Sequence, residues 1–315
     1  MVEKNSKIAF VFPGQGSQAV GMLGDLAVDY LQIKDTFNEA SEALGRDLWA
    51  LSQDGPVADL NMTENTQPLV LTAGVAMWRV LQHKLGVQPG FMAGHSLGEY
   101  TALVCSGALD FVEAVKLVEK RAQYMQQAVP KGVGSMAAIL GVELEELIKI
   151  CDIAAEGEVV APVNLNAPGQ IVIAGNIAAV ERAMVASKDA GAKRALPLPV
   201  SVPSHCSLMN PAAEKLTDTL ATIEVSTPSI RVVHNTDVES HQIVADIKLA
   251  LAKQLYTPVR WIETIESFAA NGVDTIIECG PGKVLSGLTK RINKELTGYS
   301  TGDVRSFDKT MESLL

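Results

Sequence analysis

Hydrophobic and polar positions along the chain fall into short apolar runs and longer amphipathic ones. Residues 7–12, KIAFVF, are a nearly unbroken apolar run ending at Pro13-Gly14, the texture of a buried strand. Residues 25–51 have the spacing of amphipathic helix, with polar connections to about residue 65. Thr66-Gln67-Pro68 then opens a long, largely apolar helix, LVLTAGVAMWRVLQHKLG, with proline near its first turn. Phe91-Met92-Ala93 read as a short strand, and Glu99 to Val104 as the helix after it. In FVEAVKLVEKRAQYMQQAV, apolar residues at 111, 112, 115, 118, 122 and 125 predict another helix.

From about residue 130 the segments shorten. GSMAAILG, VVAPVNLN, QIVIAG and AKRALPLP have strand patterns, and ELEELIKICDIAA and IAAVERAMVASKDAG have helical ones. The order strand-helix-strand-strand-helix-strand is that of a ferredoxin-like unit. The expected fold is therefore α/β, with a large lobe from residues 1–128 and 201–315 and an inserted ferredoxin-like lobe over 129–200. After the insert come a Pro-flanked loop with His205, a strand and turn in IRVVHNTDVE, and a helix in IVADIKLALAKQLYTPVRW containing Gln254. A strand over Thr275 to Glu278, a Gly-rich turn and a last helix follow. The polar tail from about 298 reads as a frayed end.

Composition narrows the function classes. The 315 residues are 47% hydrophobic, enough for a large core, and the formal charge is −10. A nucleic-acid binder would want the opposite charge, and no Lys/Arg run with interleaved aromatics occurs. The four cysteines, Cys105, Cys151, Cys206 and Cys279, lack metal-ligand spacing, so neither a metal site nor a disulfide framework is expected and a reducing cytoplasm fits. The opening stretch has too short an apolar core for a signal peptide, and no run reaches membrane-span length.

The candidate chemistry starts at Gly94-His95-Ser96-Leu97-Gly98. Strand, G-x-S-x-G, helix is the nucleophile-elbow pattern, with the serine at the tip of a strained turn and the first helical N–H groups aimed at the same point. The Gly-rich stretch Pro13 to Gln18 lacks phosphate-loop spacing. It does end a strand, and loops of that kind gather at the carboxyl edge of a parallel sheet. A serine nucleophile needs a base. His205 is the best placed, His234 the second choice and His241 the third. His95 adjoins the serine but points away from it, and His83 reads as a surface or packing histidine. No acid between Ser96 and His205 suits a triad, but a backbone carbonyl can orient an imidazole instead. An esterase, a thioesterase or a catalytically idle carrier-binding module remain alternatives on these residues.

Several longer stretches carry a resemblance: FVFPGQGSQ at 10–18, TQPL at 66–69, GHSLGEY at 94–100, KRAQYMQ at 120–126, PVNLNAPGQIVIAG at 162–175, AKRALPLPVSVPSHC at 192–206, QLYTPVRW at 254–261 and ECGPGKVLSGLTKRI at 278–292. With these, the chain resembles the malonyl-CoA:acyl-carrier-protein transacylases of bacterial fatty-acid synthesis over nearly its whole length. The resemblance implies an α/β-hydrolase-like large lobe with the ferredoxin-like insert. It implies Ser96 as nucleophile, His205 as general base and acid, and Gln254 as donor of the carbonyl that orients His205. It further implies an oxyanion hole from the N–H groups of Gln15 and Leu97, and Arg121 as partner of the malonyl carboxylate. Malonyl-CoA is then a substrate and acyl carrier protein the partner, with no permanently bound cofactor and a monomer expected. An acidic carrier needs a basic patch, for which Lys193/Arg194, Lys283 and Lys290/Arg291 are candidates. Gly280-Pro281-Gly282-Lys283 opens a helix that could hold a CoA phosphate. Ser204, small and next to His205, taken alone leaves room for a branched extender such as methylmalonyl, but the whole-chain resemblance implies malonyl.

Overall fold

The computed structural model describes residues 4–86, 88–200 and 202–314. The ends of the expected lobe ranges at residues 1, 201 and 315 therefore lie outside the described residues. In chain order the elements begin with β1 (Lys4–Phe12), α1 (Leu26–Asp29), α2 (Leu31–Leu44), α3 (Leu48–Asp54), α4 (Val57–Leu60) and α5 (Thr63–Leu85). The elbow region follows as β2 (Gln88–Gly94), α6 (Gly98–Cys105) and α7 (Phe111–Ala128). Next come β3 (Gly134–Leu140), α8 (Leu144–Ala155), β4 (Val160–Ala167), β5 (Gln170–Asn176), α9 (Ile177–Asp189) and β6 (Arg194–Pro197). The chain continues through α10 (Asn210–Thr222), β7 (Arg231–Val233), α11 (Val244–Lys253) and α12 (Trp261–Ala270). It closes with β8 (Thr275–Glu278), α13 (Val284–Ile292), β9 (Thr297–Ser300) and α14 (Val304–Leu314).

Two sheets organise these elements. The five-stranded sheet, in the order β7-β2-β1-β8-β9, is parallel at every pairing. Its strands are apolar on both sides. Phe10 and Phe12 of β1 enter one core with α5 and α7, while Ala9 and Val11 enter a second core with Trp261, Ile265 and Phe268 of α12. Each large side chain so buried contributes about 1.5–3 kcal/mol. The four-stranded sheet, in the order β4-β5-β3-β6, is antiparallel and packs α8 and α9 on one face. The two are stitched together where β4 meets residue 259. The N–H of Leu165 donates to the Val259 carbonyl (3.0 Å) and that of Val259 to the Val163 carbonyl (2.8 Å).

Three expectations need correction. The long helix α5 begins at Thr63 rather than at Thr66, and Pro68 lies inside it. Proline cannot donate to the Glu64 carbonyl one turn back, and the Arg46 guanidinium takes that acceptor instead (3.2 Å). Gln254 is not within a helix but caps α11, directly after Lys253. The tail from 298 does not fray. β9 pairs with β8 in register from Thr275–Thr297 to Glu278–Ser300, and α14 buries Phe307 against Tyr30 (ring centroids 5.1 Å apart). A polar edge strand is held by backbone pairing rather than by side-chain burial. Val304, Phe307, Met311 and Leu314 recur at helical spacing, a weak stripe in a polar segment.

Candidate active site

The ends of β1 and β2 lie side by side, with Phe12 in register with Gly94. The chain after β2 must turn beneath the end of β1. A Cβ on Gly94 would sit on the Gly98 backbone, and one on Gly98 would sit on the Phe12 carbonyl. Ser96 at the tip has φ +52°, a left-handed conformation that costs an L-residue about 1–2 kcal/mol. Asn235, just beyond β7, holds it there. Its Oδ1 accepts from the Ser96 N–H (2.8 Å) and its Nδ2 donates to the Gly94 carbonyl (2.7 Å).

His205 approaches from the loop after β6, also with positive φ (+67°). Its own N–H donates to the Leu255 carbonyl (2.9 Å). The ring is fixed at both nitrogens. Nδ1 is 2.7 Å from the Gln254 main-chain carbonyl, and Nε2 is 2.8 Å from the Ser96 hydroxyl oxygen. A carbonyl only accepts, so Nδ1 carries the proton and the Nε2 lone pair faces the serine. Burial lowers the His205 pKa to about 3, with the nearby Arg121 charge as the next cause. The imidazole is therefore neutral near pH 7, as a base must be before it acts.

The other histidines do not reach the serine. His95 binds Asn166 of β4 through Nε2 (2.8 Å). His234 is fully buried, with Nδ1 2.7 Å from Oε1 of Glu99. His241 pairs with Asp237 (2.9 Å) nearer the surface, and His83 is exposed.

Arg121 of α7 is 1% exposed, unusual for a guanidinium. Nη1 donates to Oε1 of Gln67 (2.7 Å). Nη2 donates to Oε1 of Gln254 (2.9 Å) and to the Ser96 hydroxyl (3.2 Å). Among the described residues its Nε has no partner. The guanidinium carbon lies 5.3 Å from the Tyr100 ring centroid, a cation–π contact. Burial lowers its pKa, so the charge sits where a negative group would stabilise it.

The N–H groups of Gln15 and Leu97 border the same cavity, about 110 Å³, together with Ser96, Arg121 and His205. Among the described residues neither N–H makes a hydrogen bond. The Gly14 turn brings them together, because a Cβ there would strike the His95 carbonyl. A second cavity of about 510 Å³ shares Gln15, His95, Asn164, Leu198 and Val200 with the first. It runs outward between β4 and α13, past Asn166, Gln170, Val284 and Leu288. The start of α13 does not suit a phosphate. Buried Glu278 already accepts from the Ser286 N–H there (2.8 Å), and a second anion would meet its carboxylate.

A family model described as an acyl transferase domain matches residues 9–304. The chain belongs to the acyl transferase family. Among relatives of this acyl transferase, the malonyl CoA-acyl carrier protein transacylase of Salmonella typhimurium is 58% identical over 298 residues, covering 95% of this chain and 96% of that protein. The Bacillus subtilis protein of the same name is 46% identical over 310 residues, covering 98% of each. The structure of an acyl carrier protein S-malonyltransferase from Vibrio cholerae superposes with TM-score 0.94 at 62% identity, covering 97% of this chain and 100% of that one. A malonyl-transacylase solved in complex with a type II PKS acyl-carrier protein gives TM-score 0.96 at 54% identity, over 98% and 100%. The α/β-hydrolase-like large lobe with a ferredoxin-like small lobe is thus the architecture of this acyl transferase.

All six residues expected at the site lie within one hydrogen-bonded cluster or border its cavity. Four more were not anticipated in these places: Gln67, Glu99, Asn235 and the side chain of Gln254. Asn235 had one available signal, its position at the carboxyl end of a strand. Glu99 had another, a charged residue on an otherwise apolar elbow helix.

Proposed function

We propose that this acyl transferase moves the malonyl group of malonyl-CoA to the phosphopantetheine thiol of an acyl carrier protein, through a malonyl ester on Ser96. The carrying observation is the buried Arg121 guanidinium, 3.2 Å from the Ser96 hydroxyl. A guanidinium in that place pairs with a carboxylate on the acyl group, and is left unpaired by an acyl group without one. An esterase or thioesterase has no use for it.

His205 Nε2 takes the Ser96 proton as the hydroxyl oxygen attacks the thioester carbonyl. The developing oxyanion falls to the N–H groups of Gln15 and Leu97. The imidazolium, with its Nδ1–H donating to the Gln254 carbonyl, gives its Nε2 proton to the sulfur as the carbon–sulfur bond breaks and CoA leaves. The carrier's thiol then attacks the ester with His205 again as base, and Ser96 recovers its proton. A malonyl carboxylate on Arg121 also offsets the charge that lowers the His205 pKa, so the proper acyl group strengthens the base.

The larger cavity suits the pantetheine arm of either donor or acceptor. Lys283 and Arg291 are exposed at its α13 side and Lys193 and Arg194 along β6. They and Lys290 are the proposed contacts for an acidic carrier. Residues 129–200 are proposed as the inserted lobe that walls the cleft against water. One chain contributes every group invoked, which supports a monomer as the working unit. Among the described residues no helix is long and apolar enough to cross a membrane, and a cytoplasmic place in fatty-acid synthesis is the proposed setting.

Intact-mass spectrometry tests the reading. Malonyl-CoA is expected to add one malonyl group to wild-type protein and none to Ser96→Ala, and holo carrier protein is expected to remove it. An unmodified wild type, or an equal adduct on Ser96→Ala, would overturn it.

A further inference from the structure

Glu99 is a carboxylate with no exposure, three residues after the nucleophile, and the transfer chemistry does not use it. Both of its oxygens are occupied. Oε1 accepts from His234 Nδ1 (2.7 Å), while Oε2 accepts from the Asn235 N–H (2.9 Å) and from Gln254 Nε2 (2.9 Å). The Gln254 amide stands between Glu99 and Arg121. Its Oε1 accepts from Arg121 Nη2 (2.9 Å), and its Nε2 also donates to the Ser96 carbonyl (3.0 Å). The orientation of this amide is forced. Guanidinium only donates, whereas carboxylate and carbonyl only accept, so a flipped amide would oppose donor to donor on one side and acceptor to acceptor on the other.

We propose that Glu99 and the side-chain amide of Gln254 form a positioning bridge that aims Arg121 at the acyl carboxylate. The bridge rests on the malonyl reading above and adds a specificity determinant to it. A direct Glu–Arg pair would satisfy the guanidinium and weaken its need for substrate. With an amide between them, Glu99 supplies a counter-charge at one remove and leaves Arg121 open on the cavity side. The carboxylate also favours the charged guanidinium, against the larger opposing effect of burial.

The bridge is separable from the base. The Gln254 main chain is held by its own N–H to the Ala250 carbonyl (2.9 Å). The carbonyl that orients His205 therefore does not depend on the side-chain amide. Loss of the bridge should injure malonyl recognition more than the reactivity of Ser96 towards a neutral ester.

The experiment compares two rates in the full-length chain: acylation by malonyl-CoA, followed by intact mass, and the burst of p-nitrophenol from p-nitrophenyl acetate. Glu99→Ala is expected to lower kcat/KM for malonyl-CoA at least about tenfold, as loss of a charge-assisted hydrogen bond does, with the burst rate within about threefold of wild type. Glu99→Gln can still present an oxygen to Gln254 and Asn235 if His234 changes tautomer but lacks the counter-charge, and should acylate at least about threefold faster than Glu99→Ala while staying below wild type. Parallel loss of both rates in Glu99→Ala, an unchanged malonyl rate, or a Glu99→Gln as defective as Glu99→Ala would each overturn the bridge. If Glu99→Ala does not fold, Gln254→Met removes the amide and keeps the main chain. The ratio of malonyl acylation to burst rate should then fall about tenfold, and an unchanged ratio would overturn the proposal. Wild type that takes no malonyl group would instead overturn the underlying reading.

Discussion

Two buried histidines, His205 and His234, differ in a way that exposes the design of the site. His234 has the partner expected of a catalytic histidine, the Glu99 carboxylate at 2.7 Å. Yet it faces the packed back of the elbow, and its Nε2 has no partner among the described residues. His205 has only a main-chain carbonyl behind it, but its Nε2 meets the Ser96 hydroxyl. Contact with the Ser96 hydroxyl separates the proposed base from scaffold here, and the carboxylate does not. A carboxylate beside His205 would also pair with Arg121 and compete with the substrate. A neutral carbonyl fixes the tautomer without that competition.

The sharpest way to break the comparison is to remove each ring in turn. His205→Ala should lower malonyl acylation by about 10²–10⁴, the usual weight of a positioned base. His234→Ala should leave acylation within about tenfold of wild type. It should destabilise the fold by about 1–3 kcal/mol, because the Oε1 side of Glu99 loses its donor. Stopped-flow acylation beside thermal unfolding reads both quantities. If His234→Ala lost as much rate as His205→Ala at unchanged stability, the scaffold assignment would fall.

Arg121→Ala is the next largest expected effect. It removes the charge proposed to meet the malonyl carboxylate and leaves Oε1 of both Gln67 and Gln254 without that donor. About a 10²-fold loss of kcat/KM for malonyl-CoA is expected, with a smaller loss or a gain for acetyl-CoA. Equal losses for the two thioesters, measured side by side, would remove Arg121 from acyl recognition and leave it a packing residue.

These contrasts also show what a sequence can display. Ser96 was legible because an elbow is local: two glycines, a serine and a helix within five positions. His205 was legible as a loop histidine at a junction between lobes. Arg121 was not legible by pattern, since a helix containing Lys120 and Arg121 looks solvated, and only the resemblance assigned it a role. Glu99 and Asn235 carried only weak signals, for a different reason. They meet across the pairing of β2 with β7, between the elbow and the residues just after β7, 135–141 positions apart in sequence. At larger scale, the ferredoxin-like order was readable from periodicity alone. The start of α5 was hidden because proline usually marks a first turn, and here Arg46 satisfies the carbonyl that Pro68 leaves free.

The smallest expected effect is a near absence of pH dependence. With its pKa lowered to about 3 by burial and then by Arg121, His205 stays neutral as pH falls from 7.5 to 5.5. Acylation by malonyl-CoA should therefore change less than about twofold over that range. An ordinary histidine would be nine-tenths protonated at the lower end and about tenfold slower. The stability consequence has a definite sign. Between 6.5 and about 3 the unfolded chain binds a proton at this residue and the folded chain does not. The contribution of His205 is thus fully present above 6.5 and is lost as pH falls towards 3. Arg121→Ala removes one cause of the depression, so its reactivity towards a neutral ester should acquire an acid limb at higher pH than wild type. Rate profiles of the two proteins with p-nitrophenyl acetate give the comparison. Coincident profiles would show that Arg121 does not act on the base, and a wild-type limb centred near 6.5 would show that His205 is not shielded as its burial implies.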